Sequence, residues 1–83
     1  MKIVVVGSPE DVRGFALAGL AGYPADGRLE VETILAERSR EDSDVGLLLV
    51  SGSAARQAPE ALAALRKRDG APIVLELPEG VAR

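Results

Sequence analysis

The sequence predicts a three-layer α/β domain with a mainly parallel four-stranded sheet, in the order 2-1-3-4, and helices on both faces. Predominantly apolar runs at residues 2–7 and 45–50 are typical of central strands in a parallel sheet. Helical patterns separate these runs from each other and from a third run at residues 73–77. Strands that alternate with helices favour right-handed crossovers and therefore a parallel sheet.

The first strand ends in glycine, and a helix is expected directly after it. Ser8 can accept a hydrogen bond from a free N–H, and Pro9 suits the first helical position. The acids that follow suit the positive end of the helix dipole. An apolar stripe at helical spacing then runs from Val12 to Leu20. We therefore predict that this helix reaches about Leu20 and packs on the sheet.

Between the first helix and the second central strand the pattern is less regular. Residues 21–27 are dense in Gly and Pro, so we expect an irregular segment with room for only a stub of strand around residues 21–23. A second helix is predicted over about residues 28–40 with Asp26 as its cap, although residues 29–31 alternate as a strand would.

The last third of the chain predicts a helix and then an edge strand. Helical character returns by Pro59 at the latest, its start is open because proline interrupts the pattern, and Gly70 terminates it. In the strand at residues 73–77, Glu76 lies on the same side as Val74, so one face is only partly covered near its end. The helix residues expected to face the core are Ala58, Ala61, Leu62 and Leu65.

We interpret residues 1–83 as a single domain of flavodoxin-like or receiver-like architecture. The 10 basic and 13 acidic residues leave a net charge of −3, which argues against nucleic acid as a partner. The sequence contains neither cysteine nor histidine, so disulfides, thiol nucleophiles and imidazole metal ligands are excluded. The apolar start is too short for a signal peptide or a membrane span, so we expect a soluble intracellular protein. We also expect no cofactor and no bound metal.

In such a sheet a functional crevice lies beyond the carboxyl ends of the strands. A phosphoacceptor receiver domain needs clustered acids after strand one and an aspartate ending strand three. Glu10 and Asp11 fit the first requirement, but position 51 is serine. Acids that neutralise a helix dipole explain Glu10 and Asp11 more simply than a metal site does. A degenerate receiver-like signalling or ligand-binding module stays open as the alternative. Other residues that are expected at this edge, and are therefore candidates for a functional site, are Gly7, Ser8, Ser51, Gly52, Ser53 and 76–79.

Enzymatic motifs are missing at this edge of the predicted sheet. Residues 7–14 read GSPEDVRG, which is neither a dinucleotide fingerprint nor a phosphate-binding loop. No histidine is present to activate the serines, so capping and turn roles are favoured for them. The basic residues 66–68 suit a helix C-terminus that faces solvent. We therefore expect a protein that is not an enzyme.

One feature of the first predicted helix points to a partner. Its side opposite the stripe is apolar or small where a solvated face would be polar, so it resembles a docking surface. Isolated exposed leucines and alanines are nevertheless common, and alanine favours helix by itself. The residues on that side are Gly14, Leu17, Ala18 and Ala21.

The ordered set of these segments resembles the F subunit of the V/A-type ATPases (ATP synthases). Residues 1–23 resemble the opening of that family, including its G-F-x-L-A-G segment, here residues 14–19. A charged helix ending at residues 40–42 leads into the strand at 45–50, as in the family. Residues 71–78, APIVLELP, are similar to the family's final P-x-I-V-x-I-P strand. The resemblance covers nearly the whole chain.

The resemblance implies a non-catalytic component of the central stalk of a proton- or sodium-translocating ATPase or ATP synthase. Such a protein docks on the coiled-coil rotor subunit, which is the D subunit of the complex, and couples to the catalytic ATPase head. It is cytoplasmic and peripheral to the membrane through the complex. In homologues a C-terminal helical segment follows the α/β part, and this sequence stops at Arg83, so we expect that segment to be absent.

We also expect particular roles for individual residues in and beside the segment at residues 14–19. Phe15 and Gly19 are expected to support packing of the helix on the sheet. Asp11 is a candidate rim charge that sets the register of docking. The residues expected to contact the partner are Gly14, Leu17, Ala18, Ala21 and Arg13.

Overall fold

The computed structural model describes residues 2–40, 42–68, 70 and 72–78. Its strands are β1 (Lys2–Gly7), β2 (Ala21–Pro24), β3 (Val45–Ser51) and β4 (Ile73–Leu77). Its helices are α1 (Pro9–Ala16), α2 (Arg28–Arg38), α3 (Gly52–Gln57) and α4 (Pro59–Arg66). The four strands form one sheet in the order β2-β1-β3-β4, and all three pairings are parallel. The predicted α/β class and strand order are therefore confirmed.

The main core lies between one face of the sheet and the helices α2, α3 and α4. Alternate residues of a strand point to opposite faces, so this face carries the even-numbered valines of β1 and Leu48 and Val50 of β3. Both valines and both β3 residues are fully buried. The core residues from the helices are Val31, Leu35, Ala54, Ala55 and Leu62. Ala61 and Leu65 pack against this core and Ala58 belongs to it, as predicted.

Helix α1 packs on the opposite face, over β1 and β2. Val5 of β1 points to this face and is fully buried, although it is not part of the main core. Its partner in β2 is Gly22. A Cβ atom at Gly22 would lie 2.6 Å from Cγ1 of Val12, so the absent side chain allows α1 to approach the strand closely.

Helix α1 is shorter than predicted because Gly19 ends it. The N–H of Gly19 donates to the carbonyl of Ala16 at 2.9 Å, and the N–H of Leu20 donates to that of Phe15 at 3.2 Å. This pair of bonds is a Schellman motif, and Gly19 takes the left-handed conformation that the motif requires, with φ of +87°. Our predictions that the helix continues to Leu20 and that Gly19 packs on the sheet are therefore wrong.

The other helix boundaries differ from the prediction in smaller ways. Gly27, not Asp26, is the N-cap residue of α2, and no side chain caps that end. The N–H of Asp26 instead donates to Oε1 of Glu30 in the first turn, at 2.6 Å. The helical region after β3 begins directly at Gly52 and is broken at Ala58, so that α3 and α4 are separate helices. Met1, Glu41, Ala71, Glu79 and Arg83, which belong to segments used in the sequence analysis, lie outside the described residues.

Candidate functional site

The turn that follows α1 exposes apolar side chains. Leu17 follows the last residue of the helix, and 89% of it is exposed. Ala18 is exposed in the same turn. Ala21 is exposed at the start of β2, which forms one edge of the sheet. Arg13 is exposed on α1, and Gly14 is half-buried. We call Arg13, Gly14, Leu17, Ala18 and Ala21 the α1-end patch.

The residues of the α1-end patch are those predicted from the sequence, but the single helix face predicted for Gly14, Leu17, Ala18 and Ala21 is wrong. They do not form one face of a helix, because Leu17 and Ala18 belong to the Schellman turn and Ala21 belongs to a strand. Their exposure does not come from helical periodicity. It comes from the reversal of the chain between α1 and β2, where none of the three side chains points into the core.

The carboxyl edge of the sheet uses its serines for helix capping. Oγ of Ser8 accepts a hydrogen bond from the N–H of Asp11, and Oγ of Ser51 accepts one from the N–H of Ala54, both at 3.2 Å. Oγ of Ser51 is also 3.2 Å from Oγ of Ser53. Within the described residues, no three His, Cys, Asp or Glu side chains are grouped so that they could hold a metal ion. These contacts support the capping interpretation of both serines.

The capping role of Ser51 can be tested by changing it to alanine. The substitution removes the acceptor for the N–H of Ala54 at a buried helix start. We expect the free energy of unfolding to fall by about 1 kcal/mol, the usual loss for an N-cap replaced by alanine. Urea denaturation of the purified chain measures it. Ser51→Thr keeps the hydroxyl acceptor without placing a charge at this buried position and should lose less, and equal losses in the two variants would contradict the capping role.

Two basic residues near the end of α4, Arg66 and Arg68, have partners within the chain. Nη2 of Arg66 lies 3.5 Å from Oε1 of Glu76 in β4, an ion pair between exposed groups. Nη1 of Arg68 donates to the carbonyl of Ser39 at 2.9 Å and so ties α4 to the end of α2. Their local role is therefore structural.

A second exposed apolar surface, on the sheet itself, was not predicted from the sequence. On the face that carries α1, Ile73 is 62% exposed, Leu75 is 50% exposed and Ile3 is 36% exposed. Leu47 and Leu49 of β3 lie between them and are half-buried. We call Ile3, Leu47, Leu49, Ile73 and Leu75 the open strip. Strand order and right-handed crossovers could have revealed it, because, of the helices that connect the strands, they place only α1 on this face.

These features define a class of protein, a small parallel α/β domain with exposed apolar surfaces and no histidine or cysteine for catalysis. The model of one family, described as ATP synthase (F/14-kDa) subunit, matches residues 3–82. The chain belongs to that family, and the resemblance to the F subunit of the V/A-type ATPases is confirmed. No match was found among curated proteins. No helix in the described part of the chain is both long and apolar enough to cross a membrane.

Proposed function

We propose that this chain is a non-catalytic component of the central stalk of a V/A-type ATPase that translocates protons or sodium ions. In this role it docks on the coiled-coil rotor subunit, the D subunit, and turns with it. It couples or modulates ATP hydrolysis by the catalytic head and hydrolyses nothing itself. It works on the cytoplasmic side, held at the membrane through the complex. The observation that carries the proposal is the family match over residues 3–82.

The α1-end patch is our proposed contact with the rotor subunit. A partner that covers Leu17 removes a nearly fully exposed leucine from water, which is favourable, and the small Ala18 lets the partner backbone approach closely. Arg13 lies beside these residues on α1 and can pair with an acidic group at the rim, which favours one docking register. Apolar contact area with a charged rim is the usual composition of a protein interface.

The contact is tested by the substitution Leu17→Asp. Because 89% of Leu17 is exposed, the change should leave the fold intact while it places a charge in the interface. We expect binding to the purified rotor subunit to weaken by roughly tenfold or more, the loss seen when a central apolar residue is removed. Isothermal titration calorimetry measures the affinity.

A matched control is available in Leu29→Asp. Leu29 lies on α2 and is 76% exposed, so the same change of charge and size is made away from the proposed contact. We expect its affinity to equal that of the unchanged chain. Equal affinities for all three proteins would reject the α1-end patch as the contact, and absence of binding by the unchanged chain would reject the rotor role.

A further inference from the structure

In the described part of the chain, one face of the sheet carries the main core and the other face is only half covered by a helix. Helices α2, α3 and α4 share the core on the first face, and α1 contacts β1 and β2 on the second. The half of the second face that β3 and β4 form carries the open strip. Of the helices that the structure describes, none takes the position over β3 and β4 that α1 takes over β1 and β2.

The open strip is continuous across three strands. Ile3 of β1 pairs with Leu47 of β3, and Leu47 pairs with Ile73 of β4. One step further along the face, Leu49 pairs with Leu75. Neighbouring strands lie about 4.8 Å apart, so paired side chains on one face touch or nearly touch. These five side chains form one aliphatic surface, and none of the five is charged.

The shape of the open strip fits one α-helix. Adjacent strands lie about 4.8 Å apart, so two strands give a surface about 10 Å wide. An α-helix with its side chains has a diameter of about 10 Å. A strand of five residues such as β4 is about 16 Å long, and about 11 helical residues, or three turns, span that length.

The area of the open strip argues against a second copy of this chain as the occupant. A stable protein pair typically buries about 800 Å² on each partner. Five aliphatic side chains, of which the most exposed is Ile73 at 62%, offer far less than that. A single helix that lies in the strip needs only this narrow surface if the rest of its interface is formed elsewhere, and the α1-end patch supplies such a second contact.

We propose that the open strip is the seat for one helix of the coiled-coil rotor subunit, which completes the half-covered face of the sheet. This inference rests on the proposed function, since it names the surface that the rotor partner covers. The two helices of a coiled coil bury their own seam against each other. The residues that enter the strip must therefore lie on the outward side of one helix and be apolar or small, such as leucine, isoleucine, valine or alanine.

Isoleucine methyl signals can test the proposal on the unmodified chain. The sequence has three isoleucines, Ile3, Ile34 and Ile73. Ile3 and Ile73 belong to the open strip, whereas Ile34 packs against the core on the other face of the sheet. On titration with unlabelled rotor subunit, the δ1-methyl NMR signals of Ile3 and Ile73 should shift and that of Ile34 should stay in place. Binding without a shift of Ile3 and Ile73 would overturn the open strip as the seat.

A substitution gives the second readout. Ile73→Asp introduces a charge at an exposed edge-strand position and should weaken binding of the rotor subunit by roughly tenfold or more, while Leu29→Asp should not. If Ile73→Asp fails to fold, the milder Leu75→Ser replaces it. If a folded variant of the open strip binds the rotor subunit with unchanged affinity, the open strip is rejected as the contact but the proposed function is not. If the unchanged chain does not bind the rotor subunit at all, the proposed function itself is rejected.

Discussion

Replacement of Leu48 by alanine should lower the free energy of unfolding by about 2–5 kcal/mol. Leu48 lies in the middle of β3, is fully buried, and belongs to the core between the sheet and the helices. The loss combines the transfer of the removed methyl groups with the cavity that remains. A domain of 83 residues has a total stability of about 4–12 kcal/mol, so this single change removes a large part of it.

The neighbouring residue provides the control for this prediction. Leu47 is also a leucine of β3, but it points to the half-covered face and is half-buried. Leu47→Ala should therefore cost less than Leu48→Ala, because part of the Leu47 side chain already faces water and a smaller cavity forms. Urea denaturation with a shared slope measures both. Equal losses for the two leucines would show that the two faces of the sheet are covered alike, against the structure.

Gly22→Ala should destabilise the fold by about 1–3 kcal/mol, which is typical of an added methyl group in a packed contact. The new Cβ would lie 2.6 Å from Cγ1 of Val12 and 3.3 Å from Cβ of Val12. Valine is stiff about χ1, so its methyl groups cannot rotate away without strain. Either α1 moves away from β2 or the valine leaves its preferred rotamer, and both reduce packing over Val5.

A second substitution checks the cause of that loss. In a chain that already carries Val12→Ala, the methyl groups that would clash are absent, so Gly22→Ala should cost much less than it does in the unchanged chain. A double-mutant cycle measured by thermal or urea unfolding gives the coupling between the two positions. Additive losses would place the origin of the effect in the strand backbone and not in contact with α1.

Much of the fold could be predicted because local patterns and global topology agree. The apolar runs that became β1 and β3 are buried on the side of the main core, and Ser8 with Pro9 starts α1 as expected. Parallel pairing followed from the alternation of strands and helices, and the strand order followed from the flavodoxin-like architecture. The residues at which helices end were harder to predict. Gly19 lies at a position of the apolar stripe, although its lack of a side chain lets it take a positive φ and end the helix.

The exposure of the residues that follow α1 could be predicted, but their geometry could not. Leu17 and Ala18 were identified because apolar residues lay where polar ones were expected, and that signal holds whether the chain is a helix or a turn. The open strip was missed for a different reason. β3 has leucines on both of its faces, Leu48 on the core side and Leu47 and Leu49 on the half-covered side. A strand that is buried on both faces can have the same sequence as a strand that is buried on only one. Only the positions of the helices distinguish the two cases.

The half-covered face also sets where water can enter the sheet. β4 pairs only with β3 among the described strands, and its side chains are at most half-buried along the whole strand. Its amide protons should therefore exchange with solvent faster than those of β1 and β3, through a local opening that leaves the other three strands paired. A helix bound on that side would slow this exchange, so the amide exchange rate of β4 reports whether the protein is free or bound to its partner.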